Sequence, residues 1–134
     1  MARLAPDSPA RWGRMSAAQM LCHLADSFRL ALGESSATPR PSPLRWLPMR
    51  LVFVHLLPWP KGKLPTMREF QQTKPGEWDR DCQDWGSALS RFVARGRDPA
   101  PNWSPHPAFG PLPNWEWGRL TYRHIDHHLR QFGV

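Results

Sequence analysis

"SAAQMLCHLADSFRLALG", residues 16–33, carries the marks of a complete amphipathic helix. Ser16 and Gln19 stand at the spacing of a capping box, in which the Ser16 hydroxyl accepts from the Gln19 backbone N–H and the Gln19 side chain reaches back to the cap. Met15 and Met20 fit a hydrophobic staple across that cap, and Gly33 is placed to stop the helix in a left-handed conformation. On a helical wheel Met20, Leu21, Leu24, Phe28, Ala31 and Leu32 form one apolar stripe. Cys22, Asp26 and Arg29 lie opposite, while His23 falls with Ser27 and Leu30 on the buried margin.

The same periodicity returns twice. Trp78, Cys82, Trp85, Leu89 and Phe92 recur at alternating spacings of four and three, so a helix is expected over residues 77–94, ended by Gly96. A last helix is expected from Trp115 to Phe132, capped by Asn114. Between them, residues 44–57 read as a short apolar helix interrupted by Pro48. Residues 34–43, 58–66 and 97–114 are loops by their proline and glycine content. No internal repeat and no strand pattern is evident. The expectation is an all-α bundle of three or four helices joined by long proline-rich loops.

The bulk numbers agree with that picture. A chain of 134 residues is most simply one domain, residues 1–134, able to bury a core without staples. Sixteen prolines impose frequent breaks, yet eight tryptophans argue against a disordered tail. Lys and Arg number 18 against 11 Asp and Glu, a net charge of +7, which suits an acidic partner. The arginines are scattered, however, with no run and no interleaved stacking motif, so they read as a solvated surface rather than a nucleic-acid interface. Cys22 and Cys82 form no C-x-x-C pair and no signal peptide is seen, which points to reduced thiols in the cytoplasm. "LPMRLVFVHLLPWP", residues 47–60, is too short to span a bilayer and carries Arg50 and His55, so no membrane span is expected.

Chemistry concentrates in "YRHIDHHLRQF", residues 122–132, which holds three of the six histidines. Arg119, Arg123, Asp126 and Arg130 mark the solvent face of this helix. Trp117, Leu120, Thr121, Ile125, Leu129 and Phe132 mark the inner one. His124 and His128 fall within the inner face and His127 at its margin. An i, i+4 pair presents two imidazoles to one cation, and a shared metal would satisfy two buried rings that cannot comfortably both be charged. A hydrogen-bonded structural pair is the alternative. Two ligands seldom suffice, so a third is expected from a facing helix, with His23 the candidate. His55 and His106 read more simply as core or loop residues, although His106, between prolines, suits a pocket mouth. No H-E-x-x-H, G-x-S-x-G, Walker-type or Rossmann motif occurs, so any chemistry rests on a metal.

Taken together, "WGRMSAAQMLCHLADSFR" at residues 12–29 and "WGRLTYRHIDHHLRQFGV" at residues 117–134 resemble the DinB/YfiT-like metalloenzyme superfamily. The likeness is greatest to a branch described as a domain of unknown function, which also carries versions of "PWPKGK.PT" and "PHPAFG". It covers the chain from Trp12 onward. The resemblance implies an up-down-down-up four-helix bundle with a three-histidine divalent-metal site. Matched motif by motif, the ligands would be His23, His124 and His128, holding Zn²⁺ or Ni²⁺. Members of the superfamily include thiol S-transferases that use low-molecular-weight thiols such as bacillithiol, and a mycothiol-dependent isomerase. The resemblance thus implies a metal-dependent transferase or hydrolase acting on a small molecule. Trp59, Lys61, Trp103, His106 and His127 are the candidate pocket-lining residues.

The front end departs from the pattern. Relatives carry a whole helix before the "W-G-x-M-S" cap, and here only "MARLAPDSPAR" precedes Trp12, with Arg3 and Leu4 resembling the tail of such a helix. The first helix is therefore expected to be shortened or missing. Either a start assigned too late, a bundle completed by a partner, or one left open would follow, and a homodimer would cover exposed apolar faces. A second functional reading is a non-catalytic bundle that binds a partner through its basic surface.

Overall fold

Ser16 accepts from the Gln19 backbone N–H at 3.2 Å, and Gln19 Oε1 accepts from the Ser16 N–H at 2.9 Å, so the capping box opens the first helix as its sequence dictates. This helix, α1, spans Ala17–Leu32 and ends on Gly33 at φ 76°. The computed structural model describes residues 4–39, 41–62 and 68–134. Arg3 and residues 63–66 of the "PWPKGKLPT" stretch lie outside them. Among the described residues the chain is all-helical, without a strand, as a helical bundle requires; α2 is Leu47–Leu51, α3 is Trp78–Gly96 and α4 is Asn114–Phe132. No helix among them is long and apolar enough to cross a membrane.

Residues 4–16 form turns and bends but no helix. The segment still contributes to packing. Leu4 joins Ala17, Met20, Leu21, Leu24 and Phe132 in a small core at one end of α1. A larger core gathers Phe28, Leu30 and Ala31 of α1, Ala88 and Phe92 of α3, and Trp117 and Leu120 of α4, with Phe109 from the last long loop. Helix α1 is thus the central element, covered by α3 on one side and α4 on another.

Several local expectations are corrected. Asp26 and Cys22, placed on the solvent side by the wheel, are 3% and 4% exposed. The segment after residue 67 folds over Asp26, and Asp81 from the next long helix lies against Cys22, neither of which a wheel can register. Asn114 does not cap α4: its Oδ1 accepts from Trp103 Nε1 at 3.2 Å and its Nδ2 donates to the Gly96 carbonyl at 2.9 Å. It ties the loop to the end of α3 instead. Pro48 does not interrupt its helix but sits in the first turn of α2, where no N–H is needed. The helix then widens into a π-helical turn at Val52–Leu56.

Arg123, expected on the solvent face, is half-buried. Its guanidinium donates to the carbonyls of Phe53 and Val54, at 3.1 and 2.6 Å, and to that of Leu57. Those are carbonyls that the end of the π turn leaves without helical partners. A buried ion pair, Arg50 Nε to Glu116 Oε2 at 3.1 Å, fastens α2 to the first turn of α4.

Candidate metal centre

Helices α1 and α4 bring His23 against His124 and His128. The Nε2 atoms of His23 and His124 lie 2.8 Å apart, and those of His128 and His124 lie 3.2 Å apart. One ring nitrogen from each of the three lies within 4.8 Å of the others. His23 and His128 are buried and His124 is partly so. A tetrahedron with Zn–N bonds of about 2.05 Å has edges of about 3.3 Å, so the two closest separations approach what a shared cation needs.

Hydrogen bonding decides what these nitrogens offer. His23 Nδ1 lies 2.8 Å from the Phe70 carbonyl, which can only accept, so Nδ1 carries the proton and Nε2 is a lone pair. His128 Nδ1 lies 2.8 Å from Gln131 Oε1. The amide is held in that orientation because Gln131 Nε2 donates to the Trp12 carbonyl at 2.7 Å. His128 Nε2 is therefore a lone pair as well. Two lone pairs converge on His124, whose single Nε2 could donate to only one of them. A cation satisfies the whole set, and carbonyl-backed imidazoles are the usual support of metal-binding histidines.

Burial pushes the His23, His124 and His128 imidazoles below their ordinary range, His128 to about 3, and the nearby rings add to the effect at His124 and His128. Neutral rings are the form a metal requires. The residues fit a divalent cation both in donor type and in protonation.

The chain matches, over residues 1–133, the family described as "Protein of unknown function (DUF1569)". It belongs to the DUF1569 family. No curated protein and no solved structure matches it. The family description carries no activity, so the chemistry of this DUF1569 chain is argued from its own residues.

Two cavities meet at the histidines. The larger, of about 630 Å³, is polar and is lined by Trp12, Arg14, Gln19, Thr73 and Lys74 together with His23 and His128. The smaller, of about 230 Å³, is walled by Phe53, Trp59, Phe109 and Trp117, with His106 and all three clustered histidines. His127 borders both, its ring 5.9 Å from those of Trp12 and Trp59. Burial lowers its pKa, and Lys61 adds to the lowering.

Among the candidate pocket-lining residues, the structure thus brings Trp59, His106 and His127 to the histidine cluster. Lys61 is exposed, with Nζ 4.7 Å from the centre of the Trp12 ring. Trp103 packs in the main core, its ring 4.8 Å from Phe92 and 6.0 Å from Trp117. His55 stacks on Trp115 at 5.2 Å.

Sequence reasoning missed the supporting shell. Gln131 carried a readable signal, since it lies three residues after His128 on the same helical face. Phe70 and Trp12 act through backbone carbonyls, which no residue pattern reveals. Asp26 acts one step further out. It accepts from the Gln72 and Thr73 N–H groups, both at 2.8 Å, and from Thr73 Oγ1 at 2.6 Å. Those bonds anchor the segment that carries the Phe70 carbonyl.

Proposed function

We propose that the protein is a metal-dependent enzyme of the DinB-like type, in which His23, His124 and His128 hold one divalent cation, Zn²⁺ or Ni²⁺. The observation that carries this reading is the convergence of Nε2 lone pairs enforced by the Phe70 carbonyl and the Gln131 amide. A neutral three-histidine set leaves the cation's charge uncompensated, so the cation would supply strong Lewis acidity toward a water or a thiol.

The chain's own residues shape the rest. The polar cavity, with Arg14 and Lys74 in its wall, offers positive charge to an acidic group on a small co-substrate such as a low-molecular-weight thiol. The apolar cavity excludes water from the opposite side. His127, at the border of both, is placed to exchange a proton with a group bound in either. The activity that fits is transfer of a thiol, or of water, to a small organic substrate.

Elemental analysis of purified protein tests the reading. The wild type should carry close to one zinc or nickel per chain. His23→Ala and His128→Ala should each lose it while keeping their helical circular dichroism. Equal, sub-stoichiometric metal in all three proteins would sink the proposal.

A further inference from the structure

His106 lies on the loop "PHPAFG", and its ring is held more firmly than loop residues usually are. Its backbone N–H and carbonyl pair with Gly110 in both directions, at 2.9 and 2.8 Å. Gly110 adopts φ 73°, the left-handed conformation that lets the loop close. Within the turn, His106 Nδ1 accepts from the N–H groups of Ala108 and Phe109 at 3.1 and 3.3 Å. An imidazole nitrogen that accepts two backbone N–H bonds carries no proton, so in the neutral ring the proton is on Nε2. The side chain is 8% exposed and is packed by the rings of Phe70, Phe109 and Trp117 at 4.7–5.7 Å between centroids. Among the described residues no group accepts from Nε2.

A ring N–H that lines a cavity and has no protein partner is free to donate to an acceptor that arrives there. The ring lines the 230 Å³ cavity that also reaches the clustered histidines. A cavity of about 150 Å³ is enough for benzene, so this one has room for a single ring with a short substituent. Its walls are aromatic and aliphatic, and apart from the histidine side chains they offer little polar contact beyond the hydroxyls of Ser27 and Thr121.

We infer that the apolar cavity is the site for a small, largely hydrophobic molecule bearing one hydrogen-bond-accepting oxygen, a carbonyl or ester, and that His106 Nε2–H is the donor that grips and polarises that oxygen. The inference deepens the proposed metal-dependent reading, on which its catalytic meaning rests. The donor is a neutral imidazole, because burial holds the ring uncharged down to a pKa of about 3. In this role His106 discriminates substrates. An analogue without the oxygen leaves the N–H unpaired, whereas a merely larger or smaller apolar body is weakly selected.

Acetophenone and ethylbenzene, alike in shape, probe this directly. Their dissociation constants would be measured by tryptophan fluorescence on the full chain, without added metal and again with one equivalent of zinc. His106→Asn keeps an oxygen in place of Nδ1 to cap the turn but removes the Nε2–H. The ratio of acetophenone to ethylbenzene affinity should fall about fivefold or more in that variant. Independently of any substitution, nitrogen-15 NMR of wild-type protein should find Nε2 protonated, with its resonance moved by acetophenone and not by ethylbenzene. An unprotonated Nε2, an unchanged ratio, or no binding of either probe would overturn the inference. Failure of the wild type to take up zinc, with the His106 results intact, would instead remove the metal reading and leave this site standing.

Discussion

The side-chain amide of Gln131 links His128 to the far end of the chain: Oε1 lies 2.8 Å from His128 Nδ1, and Nε2 lies 2.7 Å from the Trp12 carbonyl. The Trp12 carbonyl thereby chooses the amide orientation, the amide chooses the imidazole tautomer, and the tautomer directs the Nε2 lone pair toward His124. Removing such an outer partner typically weakens metal binding 10–100-fold, about 1.4–2.7 kcal/mol. Gln131→Leu should therefore bind zinc about that much more weakly in a chelator competition. Gln131→Glu, which keeps an acceptor for Nδ1, should recover part of the loss. Equal affinities for all three proteins would show that the amide does not orient the ring.

Gly13 permits that link to form. It has φ 79°, and a β-carbon there would stand 2.7 Å from Gln131 Nε2. A side chain would add left-handed strain of about 1–2 kcal/mol and push the amide away from His128. Gly13→Ala should lower both stability to urea and zinc affinity. Gly118, exposed on α4 with nothing within 4 Å of its would-be β-carbon, is the internal contrast. Gly118→Ala should raise stability by about 0.5–1 kcal/mol through helix propensity and leave zinc affinity unchanged.

Much of this was legible in the sequence because it rests on local rules. The Ser16–Gln19 capping box and the Gly33 stop are encoded within one turn, and His124 and His128 share a face by their spacing alone. The pairing of His23 with them spans a hundred residues: its place on the buried margin of α1 makes it only a candidate, since no periodicity couples two helices that distant in the chain, and the resemblance is what singles it out. Asp26 was misread for the opposite reason. Its wheel position is polar, and only the loop laid across α1 makes that position interior. The tautomers were beyond reach because the Phe70 and Trp12 carbonyls belong to the backbone, where any residue type would serve.

Asp26 accepts three hydrogen bonds from Gln72 and Thr73 and one from Arg29 Nη1 at 3.1 Å, all at the edge of the segment that supplies the Phe70 carbonyl to His23. Asp26→Ala strands the Gln72 and Thr73 N–H groups, each left without its acceptor. A loss of about 1–2 kcal/mol in unfolding free energy is expected, since the two donors are part-buried and water can meet them in part. Zinc affinity should fall too, because Phe70 is no longer held against His23. If stability falls while zinc affinity stays at the wild-type value, the segment holds Phe70 by other means.

Acid should unfold the metal-free protein through its buried imidazoles. Burial lowers His106 to about 3, against an ordinary value near 6.5 in the unfolded chain. Between those limits the unfolded state binds a proton that the folded state refuses. Stability is therefore complete above about pH 6.5 and is lost progressively as the pH falls toward 3. Each histidine of this kind contributes a slope of up to about 1.4 kcal/mol per pH unit, and His128, also lowered to about 3, adds to it. Urea unfolding of chelator-treated protein at a series of pH values from 7.5 to 4.5 reads that slope. His106→Asn, which cannot titrate, should be less stable at pH 7.5 but have a shallower dependence, by about 1.4 kcal/mol per unit below pH 6. A slope identical to that of the wild type would mean that His106 is free to charge in the folded protein. Acidification would then protonate Nδ1 and break its bonds to the Ala108 and Phe109 N–H groups without any unfolding.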